Sequence, residues 1–172
     1  MVGSDVSFAD DIKKIQQQEL ALRFASFTEA DAWSLGSQMR EAAHAQKLPL
    51  IIDIRCSGRK LFYAALPGTA PTNESWAQWK INVVHLLHKS SYRVGRELAL
   101  SGKTWQATHG VPELDFAAHG GCFPIHIEGV GVVGTITVSG IPQRADHGFV
   151  VEQLCIYLKK DHASLALGPE KP

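Results

Sequence analysis

A histidine followed by two glycines, His119-Gly120-Gly121, is the arrangement in this chain best suited to hold a ligand. Glycine adopts backbone conformations that are closed to other residues, and it lets backbone N–H groups approach a bound group. An adjacent imidazole can bind a metal or transfer a proton near neutral pH. The alternative is that the glycines only turn the chain into a strand, while His119 hydrogen-bonds a loop carbonyl. The residues alone leave both interpretations open.

A second histidine, His147, follows Asp146 at the predicted start of the last long helix. The carboxylate could orient the imidazole, and a helix N-terminus favours a bound anion. The alternative is that Asp146 caps the helix and His147 faces solvent. We predict that His119, the Gly120-Gly121 backbone and His147 converge on one pocket. The reason is topological: they flank the two outer ends of one predicted hairpin, and those ends are adjacent.

Two cations from the middle of the chain, Lys80 and Arg93, are predicted to add charge to this pocket. The Lys80 ammonium could pair with a ligand carboxylate, although a lysine whose stem covers apolar surface is an equal alternative. Arg93 follows two serines at a predicted helix start, where anions are favoured and where helix capping is the alternative. Asp53, inside an apolar strand, needs a buried partner, for which Arg55 and Lys80 are candidates.

Metal ligation and nucleophilic catalysis have weaker support. His85 and His88 lie three apart on one side of a helix, without the HExxH pattern of metalloproteases. Cys122 near His119 and His126 lacks the closely spaced ligand pairs of zinc sites. No Gly-x-Ser-x-Gly elbow signals a serine nucleophile. We therefore predict no metal ligands and assign no catalytic residues, and the residues decide neither for nor against an enzyme.

The predicted site depends on a β-hairpin over residues 119–140, which we expect to have a two-residue type II′ turn at Gly129-Val130. This turn pairs residues on one face, because side chains alternate with period two: Ile127 with Val132, Ile125 with Gly134, and Phe123 with Ile136. We expect one face to be buried under helices: Phe123, Ile125, Ile127, Val132, Ile136 and Val138. The other face is mixed and could meet solvent, a ligand or another subunit: Cys122, Pro124, His126, Val133, Thr135 and Thr137.

Helices and a second hairpin surround this element. A surface helix is predicted over residues 5–19, and residues 20–24 could form a short first strand. Thr28 and Asp31 have capping-box spacing at the start of the next helix, in which Gly36 indicates a close packing contact. Strands over residues 50–54 and 60–65 follow. Asn73 is predicted to cap the middle helix, whose expected buried stripe is Trp76, Trp79, Val83 and Leu87.

The order of elements is helix, helix, hairpin, two helices, hairpin, helix. It predicts an α+β domain with a mostly antiparallel sheet that is covered by helices on one face. A length of 172 residues with 45% apolar residues suits one domain over residues 1–172. We expect residues 1–19 to be a helical extension and residues 164–172 to be a flexible tail.

Composition restricts the partners and the compartment. Lys+Arg and Asp+Glu both number 17, and this zero formal charge argues against a nucleic-acid partner. No apolar run approaches ~20 residues, so we expect no membrane span. The first residues lack the basic and then apolar pattern of a secretory signal. Three scattered cysteines suit reduced thiols, and we predict a cytoplasmic protein.

The glycine-rich hairpin and the helix after it contain a distinctive pattern of residues: Gly120-Gly121, Pro124-Ile125, Gly131-Val132-Val133-Gly134, Ile136, Val138-Ser139-Gly140 and Asp146. This pattern resembles one family, the GlcG/HbpS-like proteins, which are known as haem-degrading domains. The resemblance covers residues 20–160, with looser agreement in the helix over residues 28–46, Asp53 and Lys80. The string His119-Gly120-Gly121 with Phe123-Pro124-Ile125 looks like one subfamily.

This resemblance implies a profilin-like sandwich with a five-stranded antiparallel sheet, assembly into homo-oligomers, and haem or iron binding in some relatives. It supplies no ligand residue, because a fold hosts many functions. We therefore expect a small-ligand-binding protein for an anionic or planar ligand, with haem as the possible cofactor and haem degradation as the enzymatic form. The alternative is a non-catalytic interaction or scaffold module that assembles through its sheet face.

Overall fold

An antiparallel sheet in the order β2-β1-β4-β3 forms the centre of the structure, a computed structural model that describes residues 2–170. The elements in chain order are α1 (Val2–Ala21), α2 (Glu29–Ala45), β1 (Ile51–Cys56), β2 (Arg59–Ala65), α3 (Pro71–Leu87), α4 (Ser91–Ser101), α5 (Trp105–His109), a 3₁₀ turn (Glu113–Asp115), β3 (Cys122–Ile127), β4 (Gly131–Ser139), α6 (Gln143–Leu158) and α7 (His162–Leu165). The α+β class with an antiparallel sheet is confirmed. None of the helices described is both long enough and apolar enough to span a bilayer.

The sheet has four strands, and the expectation of five is wrong. The predicted first strand over residues 20–24 is reduced to Phe24, which forms an isolated parallel bridge with Ile127. The Phe24 N–H donates to the His126 carbonyl at 2.8 Å, and the Phe24 carbonyl accepts from Glu128 N–H at 2.9 Å. Because α1 continues to Ala21 and α2 begins at Glu29, too little chain remains between them for a longer strand.

Both faces of the sheet are covered by helices, which corrects the prediction of one covered face. On the first face, α2 and α6 pack against the apolar side chains of the strands in the main core. On the second face, Ile81 and Val84 of α3 pack against Cys122, and the Ser91 hydroxyl at the start of α4 accepts from the Cys122 N–H at 3.1 Å. The mixed face of the predicted hairpin is therefore largely an interior surface, in which Thr135 and Thr137 are fully buried.

The β3–β4 hairpin has the predicted register in its inner part and a different turn. Phe123 pairs with Ile136 and Ile125 with Gly134, as predicted. A register shift after Ile125 then pairs Ile127 with Gly131, so the predicted pair with Val132 is wrong. The turn runs from Ile127 to Val130, whose N–H donates to the Ile127 carbonyl at 3.1 Å. Of the predicted core face, only Ile127 and Val132 are half-buried; the fully buried members are Phe123, Ile125, Ile136 and Val138.

The predicted N-terminal cap is confirmed for α2 and is wrong for α3. Thr28 caps α2, and Asp31 completes the predicted capping box by accepting from the Thr28 N–H at 2.7 Å. Gly36 lies against the ring of Phe62, where a Cβ atom would overlap the ring carbons, which confirms the close packing contact. Asn73 is not the cap of α3: the helix starts at Pro71, and the Asn73 side chain accepts from the N–H of the capping residue at 2.7 Å.

The N-terminal helix and the C-terminal segment contact each other and the sheet-covering helices. The Lys14 ammonium donates to the Ser164 carbonyl at 2.9 Å, and the Gln18 amide donates to the Leu165 carbonyl at 2.7 Å. Arg144 of α6 donates to the Gly168 carbonyl at 3.0 Å. These contacts hold α1 over α4 and α6, which matters for the surroundings of His147.

Candidate functional site

A cavity of about 250 Å³ opens where β4 ends, between α3 and the first turn of α6. His119 lies exposed at its opening, and the ring of Trp76 meets the His119 imidazole edge to face at 5.3 Å between centroids. Trp76 is 38% exposed, so its predicted place in a buried stripe is wrong. The lining residues are Asn73, Trp76, Lys80, His119, Ser139, Gly140, Ile141, Gln143 and Asp146. We call this space the His119 cavity.

A buried ion pair forms one wall of the His119 cavity. The Lys80 ammonium lies 2.8 Å from an Asp146 carboxylate oxygen, and the two side chains are only 4% and 2% exposed. Lys80 also donates to the Val138 carbonyl at 3.2 Å, while Asp146 accepts from the Ile141 N–H at 3.3 Å. Removing two charges from water is costly and is offset only by such close pairing and hydrogen bonding. The pair therefore joins α3 to α6 across the end of β4.

Burial sets the protonation of the cavity groups. Burial raises the pKa of Asp146 to about 6, against the opposing effect of the nearby Lys80 ammonium. Burial, and then the charge of Lys80, lower the pKa of His119. At pH 7 the carboxylate is therefore ionised and the imidazole is neutral. The cavity offers an ammonium donor, a carboxylate acceptor and an imidazole that can donate or accept, which is a set suited to hold a polar group or to move a proton.

Gly120 and Gly121 lie in close contact with α6 and with the Lys80 side chain. A Cβ atom at Gly120 would overlap the Gln143 carbonyl oxygen, and one at Gly121 would lie 2.7 Å from the Lys80 ammonium nitrogen. The Gly120 N–H faces the Gln143 side-chain oxygen at 3.4 Å. The two glycines thus allow β3 to begin directly beneath α6. Ligand contact through their N–H groups remains a prediction.

His147 does not line the His119 cavity. Its imidazole is 1% exposed and lies against the rings of Tyr92 and Phe123, with Nε2 2.8 Å from the Gln18 side-chain oxygen. Burial, followed by the charges of nearby arginines, lowers the pKa of His147 to about 3. The hairpin ends do meet, as the topology predicts, but each residue along a helix turns the side chain by about 100°. Asp146 therefore faces the cavity, and its neighbour faces α1.

Arg93 also lies elsewhere. Its guanidinium pairs with Glu19 of α1 at 2.7 Å and with Glu97 at 2.9 Å, and it borders a separate groove beside β3. Of the six predicted ligand residues, the structure places His119 and Lys80 on the cavity and the two glycines directly behind it. Their role as ligand residues stays a prediction.

The groups considered for metal binding are dispersed. Across residues 2–170, no three His, Cys, Asp or Glu side chains lie together as a metal site would require. The Cys122 thiol accepts from the Thr137 hydroxyl at 3.0 Å, and burial raises its pKa to about 12. It is therefore a buried, protonated thiol within the sheet–helix packing.

Sequence reasoning missed six of the lining residues as site members: Asn73, Trp76, Ser139, Gly140, Ile141 and Gln143. The sequence indicates for Asp146 either the orientation of the His147 imidazole or a helix cap, and neither interpretation includes its ion pair with Lys80 on the cavity wall. A usable signal was the lysine on the otherwise apolar helix face of Ala77, Ile81 and Val84, because a buried ammonium requires a buried carboxylate. Asp146 is the acidic residue in the first turn of α6, next to the glycine-rich hairpin.

The model of one family, described as haem-degrading protein HbpS-like, matches residues 27–155. The chain belongs to the HbpS-like family. The match leaves out α1, which in this chain covers His147 and pairs with Arg93. The resemblance seen in the glycine-rich hairpin is thereby confirmed.

Relatives of this HbpS-like chain extend over nearly its full length. A UPF0303 protein from Acidobacterium capsulatum is 47% identical over 162 residues, which are 94% of this chain and 98% of the relative. A UPF0303 protein from Paraburkholderia phymatum is 48% identical over the same shares. Identity at this level across the whole length makes these proteins members of one family with this chain.

Solved structures share the fold. The Ybr137w protein has a TM-score of 0.80 at 27% identity, covering 86% of this chain and 87% of its own. HbpS has a TM-score of 0.61 at 17% identity, with coverage of 79% and 92%. The PduOC protein, solved as a haem complex, has a TM-score of 0.64 at 14% identity, with coverage of 77% and 94%. At these two lower identities the likeness shows the fold alone.

Proposed function

We propose that this HbpS-like protein binds a small anionic ligand in the His119 cavity, with a ligand carboxylate against the Lys80 ammonium. The observation that carries the proposal is the buried Lys80–Asp146 pair on the cavity wall. Buried ion pairs contribute little net stability compared with apolar residues of the same volume, so one that borders a cavity favours a functional role. Lysine has three donors. Two are directed at Asp146 and Val138, which leaves one for a ligand.

Haem is the ligand to which the family points, and the cavity fits only a part of it. A volume of about 250 Å³ lies below the ~300–1,000 Å³ of pockets that enclose drug-sized ligands. It accommodates a propionate group and leaves the macrocycle outside. Lys80 would hold the propionate, and His119 offers an imidazole at the opening. Haem, when bound, supplies redox chemistry at iron; the chain's own groups bind the carboxylate and exclude water from it.

Binding is tested by titrating the protein with haemin, followed by its Soret absorbance, and with succinate, followed by calorimetry. We expect saturable binding of at least one of them. His119→Ala and Trp76→Ala should each weaken it about tenfold, which corresponds to a loss of about 1.4 kcal/mol. His44→Ala is the matched control, because His44 is an exposed histidine on α2 outside the cavity. Absence of saturable binding, or equal weakening by the control, would contradict the proposal.

A second role, assembly, is favoured by apolar side chains that the structure leaves exposed. Leu114 is 85% exposed, Val130 70% and Trp33 67%. We propose a homo-oligomer that forms through such outward surfaces of the helices and turns. The sheet face itself is covered by α3 and α4, so it does not provide the interface of the scaffold alternative. The cytosol is the compartment we propose, because Cys56, Cys122 and Cys155 are all free and buried.

Light scattering coupled to size exclusion checks the assembly. We expect a mass that is a multiple of 18.8 kDa at micromolar concentration. Leu114→Ser together with Trp33→Ser should shift the mass toward the single chain, whereas Thr108→Ser, an exposed substitution that removes little apolar area, should not. A single-chain mass for the wild-type protein across this range would rule out the homo-oligomer.

A further inference from the structure

We propose that a groove between α1, the end of α3 and β3 is a second ligand site, which binds the oxyanion group of a small organic anion. The groove has a volume of about 370 Å³ and is separate from the His119 cavity, since the two share no lining residue. Its basic residues are Arg23, Arg93, His88 and His126. We call it the Arg23 groove. The proposal does not depend on ligand binding in the His119 cavity.

Arg23 supplies the donor group on which this site depends. Its Nε atom is buried and has no hydrogen-bond partner among the residues that the structure describes. A buried donor without a partner costs roughly 1–3 kcal/mol, and more when the group is charged. Arginine presents a planar fork of donors that matches carboxylate and phosphate oxygens. An oxyanion in the groove would bind the guanidinium of this half-buried side chain from the groove side.

Local structure fixes Arg23 beside His126. Arg23 directly precedes Phe24, whose backbone N–H donates to the His126 carbonyl at 2.8 Å. The register shift between Ile125 and His126 interrupts the pairing of β3 with β4 at this position. Burial, Arg23 and His88, in that order, lower the pKa of His126, whereas Glu128 and Glu19 act in the opposite direction. The Arg23 guanidinium is therefore close enough to lower the pKa of this imidazole.

The charged residues that line the groove leave a positive excess: Glu19, Arg23 and Arg93. Arg93 pairs with Glu19 at 2.7 Å and with Glu97 at 2.9 Å, and Glu97 also pairs with Lys89 at 2.8 Å. These two cations and two anions compensate one another. Arg23 takes part in none of these ion pairs, so its guanidinium can pair with an anionic ligand.

The remaining lining indicates an organic anion rather than a bare inorganic ion. Leu20, at the end of α1, is 63% exposed beside the groove, and Pro124 of β3 supplies a second apolar contact. The imidazoles of His88 and His126 each carry at least one N–H group that can donate a hydrogen bond. An arginine fork, imidazole donors and a short apolar wall suit a carboxylate or a phosphate that is attached to a small apolar group.

Calorimetric titration at low ionic strength with benzoate and with phenyl phosphate tests the site and distinguishes the two sources of the oxyanion. We expect saturable binding of at least one probe. Arg23→Gln should raise its Kd at least about tenfold, and His126→Ala should raise it severalfold while removing only a half-buried side chain. Arg59→Gln, which removes an exposed arginine paired with Glu29, should leave the Kd within twofold.

Binding in the Arg23 groove can be distinguished from binding in the His119 cavity. The titrations are repeated in the His119→Ala background, which weakens any binding of these anionic probes in the His119 cavity, and the effect of Arg23→Gln should persist there. Thermal unfolding of Arg23→Gln and His126→Ala verifies that each variant folds, and two independent variants keep the test valid if one does not. Wild-type protein that binds neither probe saturably, or a folded Arg23→Gln or His126→Ala variant that binds as well as wild type, would overturn the proposal.

Discussion

Lys80→Met is expected to lower the free energy of unfolding by about 3–5 kcal/mol, which is the usual effect of breaking a buried ion pair by removing one partner. The methionine fills much of the lysine's volume, so the loss arises mainly from the Asp146 carboxylate, which stays buried without its cation. The two side chains are 2.8 Å apart and almost fully inaccessible. Because the pair also holds α3 to the end of β4 through the Val138 carbonyl, its loss loosens the cavity wall.

Urea unfolding followed by circular dichroism measures this change. Lys89→Met is the matched control: Lys89 pairs with Glu97 at the same 2.8 Å, but those side chains are 35% and 31% exposed. Exposed pairs are worth about 0–1 kcal/mol. The double variant Lys80→Met, Asp146→Leu should recover most of the stability, because it leaves no unpaired charge. A Lys80→Met effect no larger than that of Lys89→Met would show that the pair is not buried in solution.

The same double variant separates the two roles of the pair. If the pair serves ligand binding, the recovered stability is not accompanied by recovered binding in the haemin or succinate titration. If it serves only to join α3 and α6, stability and binding recover together. The comparison therefore tests the proposed function with a protein that is folded.

The sequence predicted those parts of the fold in which local pattern and tertiary packing agree. Alternation of apolar residues around Phe123 and Ile125 set the inner register of the hairpin, and capping chemistry located the start of α2 at Thr28. The turn was misplaced because the shift after Ile125 adds a residue to one strand, and no residue type marks it. The second covered face was missed because threonines on a strand face suit both solvent and a helix.

The sequence predicted the site residues whose positions follow from the order of the strands and helices. It did not predict those whose positions depend on the direction of a side chain. His119 precedes β3, so its location follows from the strand alone. His147 adjoins the correct residue, yet the helical rotation turns it away from the cavity. Arg93 pairs with Glu19, which lies 74 positions away in sequence, and no local sequence pattern reveals such a partner. Asp53 did obtain one of its two predicted partners, Arg55, whose Nε lies 2.8 Å from the carboxylate.

Gly120→Ala should destabilise the protein by about 3 kcal/mol or more, beyond the usual range for adding one methyl group to a packed interior. The added Cβ would overlap the backbone carbonyl oxygen of Gln143 and lie 3.0 Å from the Tyr92 ring. Backbone at the start of α6 cannot move aside as a flexible side chain does. Relief requires β3 and α6 to separate, and this movement also displaces His119 from Trp76 and opens the cavity wall.

Gly148→Ala is the matched control, because Gly148 lies within α6 and a Cβ atom there meets nothing within 4 Å. Alanine is favoured over glycine in a helix interior by about 0.8–1.0 kcal/mol, so this variant should be slightly more stable than wild type. Thermal unfolding of both variants should thus move the midpoint in opposite directions. Equal shifts of the unfolding midpoint in the two variants would mean that Gly120 has free space beside it. The close contact of β3 with α6 would then be absent in solution, although the shape of the His119 cavity depends on it.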